Sequence, residues 1–168
     1  MNRSKEGLSG DWCSSGYLAP EDTPLPSEER LEEGPVAVVE CPQKIPCDPC
    51  GVHCPADAIK IEDINEKPKI DIEKCTGCSI CVQHCPGLAI FIVDCSPEDA
   101  CKITLPYEFD LPETGEEVEG LNRKGEAVVI GTVKSVTGRE DSIGDTPTVT
   151  IEIPEEYVNK VRNIRRKV

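Results

Sequence analysis

Two stretches of this chain carry nearly the same pattern, and both are built on cysteine. Residues 47–63 read CDPCGVHCPADAIKIED and residues 78–94 read CSICVQHCPGLAIFIVD. At an offset of 31 the pairs Cys47/Cys78, Cys50/Cys81, His53/His84, Cys54/Cys85 and Pro55/Pro86 coincide, as do Ala58/Ala89, Ile59/Ile90, Ile61/Ile92 and Asp63/Asp94. An internal repeat of this length marks a duplicated structural unit. Each copy is a cysteine loop, a Cys-Pro step and an alternating apolar segment of strand type.

The second copy starts one cysteine earlier, at Cys75, which gives C-x2-C-x2-C-x3-C-P through Pro86. In the first copy Lys44 occupies the equivalent position and the extra thiol is Cys41, so that run reads C-x5-C-x2-C-x3-C-P. A three-residue insertion in the first loop, with Pro42 and Pro46 inside the gap, accounts for the difference. Three thiolates from one tight loop, with a fourth pointing away before a turn-making proline, suit a cubane [4Fe–4S] cluster. Zinc sites usually pair one C-x2-C with a distant second one, so these runs are poor zinc geometry. A fully paired disulfide framework is excluded by the odd count of 11 cysteines.

Composition agrees with a metal-held fold. Only 4% of the 168 residues are aromatic and 38% are hydrophobic, so the apolar core is small and something else must help hold the chain together. Lys plus Arg total 18 against 32 Asp plus Glu, a formal charge of −14. That balance argues against a nucleic-acid backbone or an anionic membrane surface as the main partner. No apolar run follows Met1-Asn2-Arg3-Ser4-Lys5, and nowhere do apolar residues continue long enough to span a bilayer. Cysteine-rich without an export signal reads as a metal-binding protein of a reducing compartment, here taken as cytoplasmic.

Over residues 36–94 the two runs resemble the bacterial-type double-cluster ferredoxins. The resemblance implies an α+β, ferredoxin-like two-cluster domain with a pseudo-twofold repeat. It also implies short helices after each Cys-Pro-terminated loop and two small antiparallel strand pairs. In that family the last cysteine of each run ligates the other run's cluster. Carried over, Cys41, Cys47, Cys50 and Cys85 hold one [4Fe–4S] cluster, and Cys75, Cys78, Cys81 and Cys54 the other. Val36-Ala37-Val38-Val39 would pair with Ala89-Ile90-Phe91-Ile92-Val93, and Ala58-Ile59-Lys60-Ile61 with Lys69-Ile70-Asp71-Ile72. His53 and His84 read as repeated solvent-facing helix positions, with a hydrogen bond toward a cluster sulfur as the sharper alternative.

Residues 1–35, with Pro20, Pro24, Pro26, Pro35 and the acidic run Glu28-Glu29-Arg30-Leu31-Glu32-Glu33, lack sustained periodicity and read as an extended arm. It either trails in water or lies along a partner subunit, which would cover Trp12, Tyr17 and Leu18. Residues 95–168 read as a small all-β unit, a partial barrel or sandwich, with strands at 102–109, 126–136 and 147–153. Its tail from Glu155 to Val168 reads as a helix, acids first and Lys160, Arg162, Arg165, Arg166 and Lys167 last. Those bases form the one positive patch, either complementing a helix dipole or docking on an acidic partner. Cys13, Cys95 and Cys101 read as ordinary buried thiols; Cys95-x5-Cys101 repeats the spacing of Cys41-x5-Cys47, and the alternative, a third metal centre, would need a partner to complete it.

No nucleophile triad order, phosphate loop or open-site metal motif is present, so electron transfer without catalysis is the expected role. The arm, the β unit and the run from Glu40 to Cys47 also resemble the small iron–sulfur subunits of multi-subunit FAD-dependent dehydrogenases acting on amino acids and amines. That implies a flavoprotein partner within an oxidoreductase complex. A free soluble ferredoxin with an accessory β domain, and a structural or regulatory metal-binding scaffold, are the alternatives.

Overall fold

A computed structural model describes residues 12–97 and 99–167. Residues 1–11 of the expected arm, Glu98 and Val168 lie outside the described residues. The elements run α1 (Trp12–Ser15), α2 (Glu28–Glu32), β1 (Val36–Val39), α3 (Pro49–Val52), β2 (Ile59–Lys60), β3 (Lys69–Ile70), α4 (Ile80–His84) and β4 (Ile90–Asp94). They continue with β5 (Cys101–Pro106), β6 (Glu117–Leu121), β7 (Ala127–Thr137), β8 (Thr148–Ile153) and β9 (Asn163–Arg166). Seven strands make one sheet in the order β1-β4-β5-β8-β7-β6-β9, and β2 pairs with β3 alone.

The apolar runs of β1 and β4 have no polar alternation because both faces of this pair are buried, the pattern of a strand with protein on either side. Val36 sits opposite Val93 and Val39 opposite Ile90. Val36, Val38, Phe91 and Val93 face one core, and Ala37, Ile90 and Ile92 face a second, which also holds Cys50, Ile59, Cys81 and Val82. The β1–β4 pair is thus a wall between two cores. β2 and β3 join Ile59 to Ile70 and Lys60 to Lys69.

Beyond the wall, inward and outward residues alternate as a half-exposed sheet requires. Ile103 and Leu105 of β5 and Val149, Ile151 and Ile153 of β8 point inward, while Thr104 and Thr150 share a 2.8 Å hydroxyl hydrogen bond outside. Val118, Val133 and Ile164, from β6, β7 and β9, complete the same core as Val36 and Val38 of β1. One interior lined by both edge strands means that the sheet curls toward a barrel. Strands expected at 102–109, 126–136 and 147–153 correspond to β5, β7 and β8.

Three expectations about the flanks are corrected. The tail forms no long helix: after a 3-10 turn at Glu155–Tyr157 the chain enters β9, paired antiparallel with β6. Helix-like acid-then-base ordering is overridden because Val158, Val161 and Ile164 bury in the sheet's core and β9 covers the edge of β6. The basic patch is spent there: Arg165 pairs with Glu119 at 2.7 Å, Arg166 with Glu116 at 2.8 Å and Lys167 with Glu117 at 3.0 Å. β6 itself was missed, since its Glu-Val-Glu-Gly-Leu run offers one buried valine between acids.

The arm is not extended throughout. Ser27 caps α2 by accepting from the Arg30 amide at 3.3 Å, Leu31 is 5% exposed, and Arg30 donates to the carbonyls of Ile72, Gly34 and Cys75. The acidic run therefore docks on its own chain. Cys95 and Cys101 are not free thiols but a disulfide across the β4–β5 turn; their adjacency follows from the ladder, whose last pair is Asp94 with Lys102.

Candidate metal centre

In the first run, Cys41 and Cys47 sit in the loop after β1, and the Cys47 amide donates to the Ile64 carbonyl at 3.1 Å. Pro49 opens α3, where a missing N–H costs nothing, and α3 carries Cys50. In the second run, Gly77 has φ +65°, and a Cβ there would collide with Pro35, so only glycine lets this loop approach the strand entry. Ser79 also turns left-handed before α4, which carries Cys81. The helices lie within the runs and end before Cys54-Pro55 and Cys85-Pro86, rather than following them as expected.

The repeat is visible in contacts. Ala58 donates to the sulfur of Cys54 at 3.3 Å, and its counterpart Ala89 to that of Cys85 at 3.4 Å. Ala37 of β1 donates to the Cys75 sulfur at 3.3 Å. His53 and His84 stack face to face, centroids 3.8 Å apart and 4° from parallel, so they are mutual partners and not independent surface positions. Asp57 and Leu88 occupy matching places with φ of 52° and 51°. Aspartate tolerates that region; a leucine there is strained, and Leu88 is also exposed beside Cys85.

Cysteines of the two runs meet across the repeat. Cys54 of the first run lines one recess with Cys75, Cys78 and Cys81 of the second; the walls are apolar, from Pro55, Ala58, Ile59 and Ile92. Burial pushes the Cys81 thiol up to about 12, reinforced by Cys75, Cys78, Cys54 and Cys50. Burial likewise raises Cys50 to about 11, with Cys85, Cys47 and Cys41 adding to it. Cys41 and Cys47 are raised too, by burial and then by Cys85. Cys85 therefore acts on the first run and Cys54 on the second. Raised this way, the Cys41, Cys47, Cys50 and Cys81 thiols favour the protonated form unless a cationic centre takes them as thiolates. Among the described residues no three His, Cys, Asp or Glu groups converge closely enough for a single metal ion.

Residues 68–91 match the family model of 4Fe-4S binding domains. That segment contains Cys75, Cys78, Cys81 and Cys85. This chain carries a 4Fe–4S binding domain of the ferredoxin type. No curated protein and no solved structure matches the chain. No helix among the described residues is long and apolar enough to cross a membrane.

One constellation near the iron–sulfur domain escaped the sequence reading. Glu40, the residue before Cys41, is 8% exposed and accepts from Arg123 at 3.0 Å and from Arg162 at 2.6 Å. Burial alone would raise its carboxyl, but the Arg123 hydrogen bond and the Arg162 charge outweigh it, and the group stays below the usual carboxylate range. Arg123 also donates to Thr23 at 2.8 Å and to the Asn159 carbonyl at 2.7 Å; Arg162 lies 5.1 Å from the Phe91 ring centroid. The cluster ties the two edges of the curled sheet, at the ends of β1 and β9, to the arm. Single charged residues spread over 122 positions gave no pattern to find it by.

Proposed function

We propose that this chain is an electron-relay subunit of an oxidoreductase complex, holding two [4Fe–4S] clusters. Cys41, Cys47, Cys50 and Cys85 hold the first; Cys75, Cys78, Cys81 and Cys54 hold the second. The observation that carries this reading is the recess in which Cys54 meets three cysteines of the other run. When bound, such clusters accept and release electrons one at a time. The chain's own part is to fix the thiolates, exclude water with Pro55, Ile59 and Ile92, and donate amides from Ala37, Ala58 and Ala89 to three of the sulfurs. Such donors stabilise added negative charge and so raise the potential relative to bare thiolate ligation. The partner is a flavoprotein that performs the substrate chemistry, in a reducing, cytoplasmic compartment.

Anaerobically purified protein should contain about eight iron and eight sulfide per chain, and dithionite should bleach its visible band. Purified from its native source, it should bring a flavin-containing protein with it. Zinc without sulfide overturns the cluster assignment; a flavin-free monomer overturns the subunit assignment alone.

A further inference from the structure

Of the described cysteines, nine are free and only Cys95 and Cys101 are joined. A disulfide within a chain whose other thiols must remain reduced for iron is unusual, and intracellular disulfides are commonly catalytic or redox-sensing. It lies between α2 and an open recess. The Cys95 amide donates to the Leu31 carbonyl at 3.0 Å, while the neighbouring Arg30 donates to the Cys75 carbonyl at 2.9 Å. Arg30 and Leu31 are neighbours on α2, so the Arg30 side chain and the Leu31 carbonyl link the backbone of Cys75 to that of Cys95. Cys75 and Cys95 also pack against the same core.

On its other side the disulfide opens to solvent. Cys95 and Cys101 line an open recess together with Glu28, Glu32, Asp99 and Glu155. Cys101 is 1% exposed and Cys95 is half-buried. A staple needs neither a route to iron nor an open recess.

We infer that Cys95–Cys101 is a redox-active disulfide, opened by electrons arriving from the iron–sulfur site at Cys75. The S–S bond breaks, two electrons and two protons enter, and two thiols form. The reductant is the reduced 4Fe–4S centre, which returns to its oxidised form as it delivers electrons singly; the protons come from water in the recess. This inference rests on the iron–sulfur reading above.

The test is an anaerobic reductive titration of the full, cluster-loaded, oxidised chain, followed by quenching, alkylation and mass spectrometry. Trypsin releases residues 75–102 as one peptide with six cysteines. The expected result is uptake of about two electrons beyond those accounted for by visible bleaching, since the disulfide is a two-electron couple. The peptide should carry four alkyl groups before titration and six after it. The iron-free chain treated alike should keep four, and Cys95→Ser with Cys101→Ser should lose the extra two electrons while bleaching as before. Four labels after full bleaching, six before any electron is added, or equal opening without iron each overturn the inference. Colourless, iron-free protein overturns the iron–sulfur reading itself, whereas a bleached band beside a closed disulfide overturns this inference alone.

Discussion

The two faces of the β1–β4 pair look onto cores made by different chemistry. On one face Val36, Val38, Phe91 and Val93 join Ile103, Leu105, Val149 and Ile151 in an apolar interior that the curled sheet closes by itself. On the other, Ala37, Ile90 and Ile92 meet a small cluster half made of cysteines, with only a two-stranded ladder and two single-turn helices around it. Helices of four and five residues and a ladder of two pairs cannot stand alone in water. The lesson is that one half of this chain is stabilised by side-chain burial, while the other has too little apolar burial of its own and, on the proposed reading, depends on thiolates bound to iron, with a shared wall between them.

Removing iron should break the comparison most visibly. Chelation is expected to abolish amide protection across residues 47–85, while β5, β7 and β8 stay protected in hydrogen exchange read by mass spectrometry. Simultaneous loss in both halves would show that the sheet does not fold alone.

Next in size is Glu40→Gln, which leaves Arg123 and Arg162 facing each other without their shared carboxylate. Losing one member of a buried ionic cluster costs about 3–5 kcal/mol, so the urea midpoint should fall sharply. Because Glu40 adjoins Cys41, iron content should fall as well, a coupling that a purely local role would not give.

Ile151→Ala sharpens the contrast from the apolar side. Ile151 is fully buried and the deletion should cost about 2–5 kcal/mol in unfolding, with iron per chain unchanged. At the small end, Arg165→Ala removes an exposed cross-strand pair with Glu119. Less than about 1 kcal/mol is expected, shrinking further in salt.

The same contrast explains what could be read in the residues. The cysteine spacing carries its chemistry in one short stretch, and the apolar runs at 36–39 and 90–93 declare strands because both their faces are covered. The tail misleads for a physical reason: Arg162, Arg165, Arg166 and Lys167 look like a helix's basic end, yet each answers a carboxylate distant in sequence. Glu40 with its arginines, the His53–His84 stack and the Cys95–Cys101 bond likewise depend on contacts that a linear pattern does not encode. The expected helix order failed because Cys50 and Cys81 need a helical turn to face inward, which puts α3 and α4 inside the runs.

Crossed ligation is tested most directly by paramagnetic resonance of four reduced single variants, Cys47→Ala, Cys85→Ala, Cys78→Ala and Cys54→Ala. The account predicts that Cys85→Ala loses the same signal as Cys47→Ala, and Cys54→Ala the same as Cys78→Ala. If Cys85→Ala instead matched Cys78→Ala, each run would hold its own cluster and the account would be contradicted.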